Sequence, residues 1–170
     1  MSCSRVLAAI AALSLAGGLA GCFQPLYSES AHPGLVEDVR AIEVAPIKDR
    51  VGHYLADDLV TDLNGTGQSP PPKYRLTVTL TLGTQTPTVN SELNVATSAT
   101  MTGEANYTLN KVDGGAEVIK GNASAAAAYD RIAQRYSDLR AARDAEIRLA
   151  RALSAEISLR VASALAAKSS

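Results

Sequence analysis

Nine consecutive residues, Tyr74 to Leu82, alternate without a break. Tyr74, Leu76, Val78, Leu80 and Leu82 point one way, and Arg75, Thr77, Thr79 and Thr81 point the other. Side chains on a strand have a period of two. The run therefore predicts a strand over Lys73–Thr86 with one buried face and one wet face. The rest of the chain must supply a layer that covers the apolar side.

Partners for that strand follow in sequence. Leu93 to Leu109 keeps a single apolar parity through Leu93, Val95, Ala99, Met101, Ala105, Tyr107 and Leu109. Gly103 falls on the same face, where a bulge or bend fits. Thr86–Ser91 holds Pro87 and reads as the connection. Asn110–Gly115 carries Asp113-Gly114, a strong hairpin signal. Ile119, Ala123, Ala125, Ala127 and Tyr129 then read as a third long strand. Alanine is the best helix former, so this run could also be helical. The hairpin and the matching length favour a strand. Ala41–Pro46 is a short strand candidate ended by Pro46.

Two segments have helical periodicity instead. Asp49–Asn64 places Val51, Leu55, Leu59 and Leu63 on one stripe, joined by Tyr54, with Asp49 as N-cap and Gly65 at the C-terminal end. Gly52 inside it costs about 1 kcal/mol relative to alanine. The loop Gly65–Pro72 ends in consecutive prolines that forbid helix and central strand. Ser137–Lys168 is one long helix, with Leu149, Leu153, Ile157, Val161 and Leu165 recurring every four residues. Asp144/Arg148 and Glu156/Arg160 are i,i+4 pairs with the acid first, the pattern of a solvated helix face. The expected fold is therefore α+β. It is a two-layer roll of order β-α-β-β-β-α, an antiparallel sheet of about four strands covered on one face by two helices.

The N-terminus says where such a domain lives. Arg5 is the only charge before Val6–Leu15, an apolar run followed by Ala16-Gly17-Gly18 and then Leu19-Ala20-Gly21-Cys22. The run is too short to span a bilayer, and a cysteine closes the small-residue stretch. This is a lipoprotein export signal. Residues 1–21 are expected to be removed and Cys22 to be acylated on its thiol and its new amine. Several acyl chains anchor a protein firmly, at about 0.8 kcal/mol per buried methylene. Residues 22–36, with Pro25, Ser28, Ser30, Pro33 and Gly34, read as an acylated tether, and 37–168 as the domain.

Composition narrows the chemistry. Both cysteines of the 170-residue chain lie in this leader region, so the mature fold has no crosslink and no cysteine metal site. Loss of residues 1–21 removes only Arg5 from the charge count, leaving 15 basic and 17 acidic side chains. No strong field invites nucleic acid. One Phe, six Tyr and no Trp imply a thin core, which a covering partner would help. No nucleophile motif, zinc motif or phosphate loop occurs. His32 and His53 lack a second ligand at metal spacing, and Asp57-Asp58 point to different helix faces. The expectation is a non-enzyme without cofactor or metal. Gly83–Asn110 holds no Lys or Arg, and cations cluster instead at Lys73/Arg75, at Lys111 and Lys120, and along Arg131–Arg151. A phosphate-bearing ligand would need such groups.

Gly21-Cys22-Phe23-Gln24-Pro25-Leu26-Tyr27 resembles the opening of the lipopolysaccharide-assembly lipoprotein LptE family, without the glycine that follows the cysteine there. Ile47-Lys48-Asp49-Arg50-Val51-Gly52 is similar to the family's entry into its first helix. Tyr129-Asp130-Arg131, Tyr136-Ser137 and Asp144-Ala145 are similar to its C-terminal segment, and the element order matches its roll. The resemblance implies a lipid-anchored, periplasm-facing protein of the outer membrane. It would sit in the lumen of an LptD-like β-barrel, help assemble and plug it, and assist lipopolysaccharide delivery. It also implies lipopolysaccharide as a ligand, for which Lys73, Arg75, Lys111 and Lys120 are the candidate side chains. The competing expectation is an auxiliary lipoprotein of an ABC-type lipid transport system.

Overall fold

The computed structural model describes residues 34–65, 70–86, 89–90, 95–96, 98–131 and 134–169. The leader, Cys22, His32, the tether up to Pro33 and Leu93 lie outside the described residues. The elements are α1 (Leu35–Arg40), β1 (Ile42–Val44), α2 (Arg50–Asn64), β2 (Tyr74–Gln85), β3 (Val89–Asn90), β4 (Val95–Ala96), β5 (Ser98–Lys111), β6 (Glu117–Asp130) and α3 (Arg135–Ser169).

The alternation at Tyr74–Leu82 becomes β2, with Leu76 and Val78 buried and Arg75, Thr77, Thr79 and Thr81 exposed. β2, β5 and β6 pair antiparallel along nearly their whole lengths. The β5–β6 turn needs two residues with positive φ, and Gly114 and Gly115 supply them at 81° and 68°. The alanine run is a strand, because hairpin pairing to β5 outweighs helix propensity.

Four expectations need correction in detail. The sheet is mixed, in the order β1-β2-β5-β6, since β1 pairs parallel to β2. A parallel pair needs a crossover of a dozen or more residues, and α2 lies in it. Gly103 is not a bulge: Leu82, Gly103 and Ala125 stand in one register row, and the irregularity falls at Leu109/Asn110. A Cβ there would lie 3.2 Å from both Leu149 and Leu153, so the missing side chain lets α3 approach the sheet. The tether ends earlier than residue 36, because Leu35 is buried in the core at the start of α1. The predicted strand from Leu93 also begins later, at Ser98, and Val95–Ala96 pairs instead with Val89–Asn90 as a separate two-stranded ladder.

Both long helices lie on the apolar face. α3 packs across β5 and β6, and α2 fits between α3 and β1. Leu55, Leu59, Leu149, Leu153, Ile157 and Val161 are fully buried there against Leu76, Tyr107 and Leu109. Two polar ties fix the helix pair. Arg50 grips the Glu146 carboxylate with two hydrogen bonds, and the Ser154 hydroxyl donates to Asp62 at 2.6 Å. Asp49 stands at the N-cap of α2 but makes no side-chain cap. Gly52 is there for room: a Cβ would meet Ile47 Cγ2 at 2.8 Å.

Candidate functional site

Among the described residues no helix covers the second face of the sheet. Its centre is built from three register rows: Thr77–Thr108–Lys120, Thr79–Asn106–Asn122 and Thr81–Glu104–Ser124. The period of two puts every one of these side chains on the same side. They are knitted laterally. Asn122 Nδ2 donates to Glu104 Oε1 at 2.8 Å and to Asn106 Oδ1 at 3.1 Å. Beyond them, Gly83, Thr102 and Ala126 form a row of small side chains, so the surface dips into an open concavity. The result is a broad hydrogen-bonding surface with few charges. It suits contact with another polar wall better than capture of a small ion.

The candidate cations do not converge. Lys73 Nζ is held by Asp38 Oδ1 of α1 at 2.6 Å, and that carboxylate raises the lysine's pKa above its usual range. Arg75 is paired with Glu43 Oε2 on the neighbouring strand at 3.0 Å. Lys120 is exposed on the uncovered face, one row along from Arg75. Lys111 is exposed at the end of β5. Of the four, Arg75 and Lys120 share a surface, while Lys73 and Arg75 already carry counterions. The two charges that sequence reading grouped first are thus the two neutralised by packing partners on α1 and β1. His53 is exposed and lies 3.5 Å from Asp57 one turn on.

A second feature was not foreseen. Arg50, Arg140 and Arg143 surround a groove of about 410 Å³ between the start of α2 and the first turns of α3. Tyr136 and Leu139 line it and are 70% and 63% exposed. The only signal in the sequence is that Tyr136, Leu139, Arg140 and Arg143 fall on one helix face by their i, i+3, i+4, i+7 spacing.

No protein-family profile matches the sequence, and no curated protein matches it. Solved structures do. A candidate lipoprotein from Caulobacter crescentus is 26% identical, with a TM-score of 0.64 over 78% of this chain and 96% of its own. The chain has the fold of a lipoprotein. The minor lipoprotein from Acinetobacter baumannii shares that fold at 14% identity and a TM-score of 0.50, over 72% of this chain and 88% of its own. Rare lipoprotein B from Shewanella oneidensis is more distant, at 9% identity and a TM-score of 0.41 over 75% of this chain and 89% of its own. Among the described residues no helix is long and apolar enough to cross a membrane.

Proposed function

We propose that this chain is a non-enzymatic outer-membrane lipoprotein, anchored through acyl chains on Cys22, that fills the lumen of an LptD-like β-barrel. There it would assist assembly of the barrel and delivery of lipopolysaccharide to the outer leaflet. The observation that carries the proposal is the uncovered sheet face. Thr77, Thr79, Thr81, Asn106, Thr108 and Asn122 present hydroxyls and amides over three long strands, with Glu104 the one acid among the central rows. The interior wall of an outer-membrane barrel is polar, and a domain that plugs it needs a broad polar side of this kind. The export signal ending in Leu19-Ala20-Gly21-Cys22 and the Cys22-Phe23-Gln24-Pro25-Leu26-Tyr27 opening support the same reading. So does the likeness to the Caulobacter lipoprotein. Phe23 after the cysteine is not an acid of the sort that retains lipoproteins in the inner membrane, which favours the outer one.

The test is a mild-detergent pull-down of the tagged, acylated protein from its own membranes, with mass spectrometry of what accompanies it. A large β-barrel in equimolar amount is the expected result. An ABC permease or periplasmic lipid carrier in its place would overturn the plug and favour an auxiliary role in lipid traffic. Cys22→Ala is expected to leave an unprocessed, unacylated precursor. Normal processing of that variant would remove the anchor.

A further inference from the structure

We infer that the groove at the leading end of α3 docks an acidic polypeptide segment of a partner protein, one that carries an apolar side chain between its carboxylates. Tyr136 and Leu139 are the two most exposed large apolar side chains among the described residues, and they lie one turn apart on one face. Isolated exposed hydrophobics are ordinary, but two beside one groove form a patch that asks for cover.

The charges around them are unbalanced. Each nearby acid already has a cation beside it, and Glu146, in the groove wall itself, is matched by Arg50. Glu146 is gripped by Arg50, Asp144 is bonded by Arg148 at 2.8 Å, and Asp138 faces Arg131 at 3.9 Å. Arg143 makes no ion pair among the described residues. Arg140 spends its guanidinium on Tyr136, with Nε 3.0 Å from the phenol oxygen and the cation 5.3 Å from the ring centroid. A guanidinium fork matches a carboxylate in bidentate geometry, and a ring already stacked under one cation is pre-organised for it. Only 9% of the Glu146 side chain is exposed, so Arg50 is held as a fixed wall.

A polypeptide fits better than a bilayer for two reasons. The feature is a groove rather than a protruding face. Its position also argues against the membrane that would hold the acyl chains. The tether enters at α1, which sits at the Lys73 end of the sheet. The groove is at the other end, where Arg148 reaches Ala128 near the close of β6. The twelve residues of β2 span about 40 Å between these ends. Residues 23–33 span at most about 40 Å when drawn out fully. One leaflet could hold both anchor and groove only with the tether at full stretch along the domain. This choice of protein over bilayer rests on the lipid anchor proposed above; the groove itself does not.

The test uses the soluble mature chain with Cys22 replaced by serine, and fluorescence anisotropy of a labelled random copolymer of glutamate and tyrosine. Binding is expected to saturate. It should weaken about tenfold or more in Arg140→Gln/Arg143→Gln, which removes two charge-assisted contacts, and clearly in Tyr136→Ala/Leu139→Ala. Lys111→Gln/Lys120→Gln should bind as the parent does, and all variants should melt as it does. Equal binding by all variants would overturn the groove. So would competition by inorganic phosphate at the same concentration as by the copolymer. Flotation with phosphatidylglycerol vesicles that depends on Arg140 and Arg143 would replace the protein segment with a lipid surface. None of these outcomes depends on a barrel, so failure here and failure of the pull-down are separate results.

Discussion

Tyr107 and Gly121 face each other across β5 and β6, and the ring lies where a side chain on residue 121 would be. A Cβ there would sit 2.5 Å from the phenol oxygen and 2.6 Å from Cζ. Tyr107 is 2% exposed, so its ring has no free space to swing into. Gly121→Ala is expected to cost about 1–3 kcal/mol in urea unfolding, the range for overpacking a filled core. An unchanged midpoint would mean that the ring is held loosely. Asp58 is the complementary case, a residue that works against the fold. Burial pushes its carboxyl above the usual 3.8; Arg151 opposes the shift, and Asp62 and Asp57 add to it. The folded state therefore binds the proton more tightly than the unfolded chain does. Stability falls as pH rises from 3.8 through the raised value, and the penalty persists above it. Asp58→Asn should raise the melting temperature at neutral pH, with the gain shrinking as pH falls through the raised value and vanishing below 3.8. A gain of the same size at pH 3 and pH 7 would assign it to packing rather than charge.

At the scale of elements, the long edge strand β6 is the liability. An edge of fourteen residues offers its outward carbonyls to any passing strand. α3 answers with cations. Arg148 donates to the Ala128 carbonyl at 2.8 Å, Lys168 to that of Val118 at 3.1 Å, and Arg160 to that of Asn122. Arg148 and Arg160 are the same residues that make i,i+4 pairs with Asp144 and Glu156. The sequence pattern of a solvated face was therefore half of their role, and the acids aim the arginines at the strand. Arg148→Ala/Arg160→Ala should leave secondary structure unchanged and increase self-association, measured by sedimentation velocity. A monomer at all concentrations would show that twist alone protects the edge. The same helix explains why one core position matters. Leu153 is fully buried and its Cδ1 packs against the backbone of Gly103. Leu153→Asp leaves an unpaired charge there and is expected to unfold the domain. Unchanged thermal stability would mean that α3 docks elsewhere.

At the scale of the molecule, what could be read in advance followed the length of each pattern. β2, β5, β6, α2 and α3 each run for a dozen residues or more, enough for period two or period 3.6 to declare itself. α1 has six residues and two core contacts, Leu35 and Val39, and β3 and β4 have two residues each, too few for any period. The direction of β1 depends on the α2 crossover rather than on its own three residues. The cations misled for a related reason. Exposure and charge can be read locally, but the counterions Asp38 and Glu43 arrive from other elements. The wet face escaped this difficulty, because alternation alone assigns it. That makes it the place to test the whole proposal. Thr79 and Asn106 are opposed at its centre and exposed to solvent. Thr79→Arg/Asn106→Arg adds two like charges side by side on a surface that no other element covers among the described residues. Surface substitutions of this kind change stability by about 0.5 kcal/mol each, so the variant should melt within a few degrees of the parent. If the face lies against a barrel wall, the same two arginines should strip the barrel from the pull-down while leaving Cys22 acylated. If the barrel still comes along in equimolar amount, another surface makes the contact, and the polar sheet is simply the side that meets water.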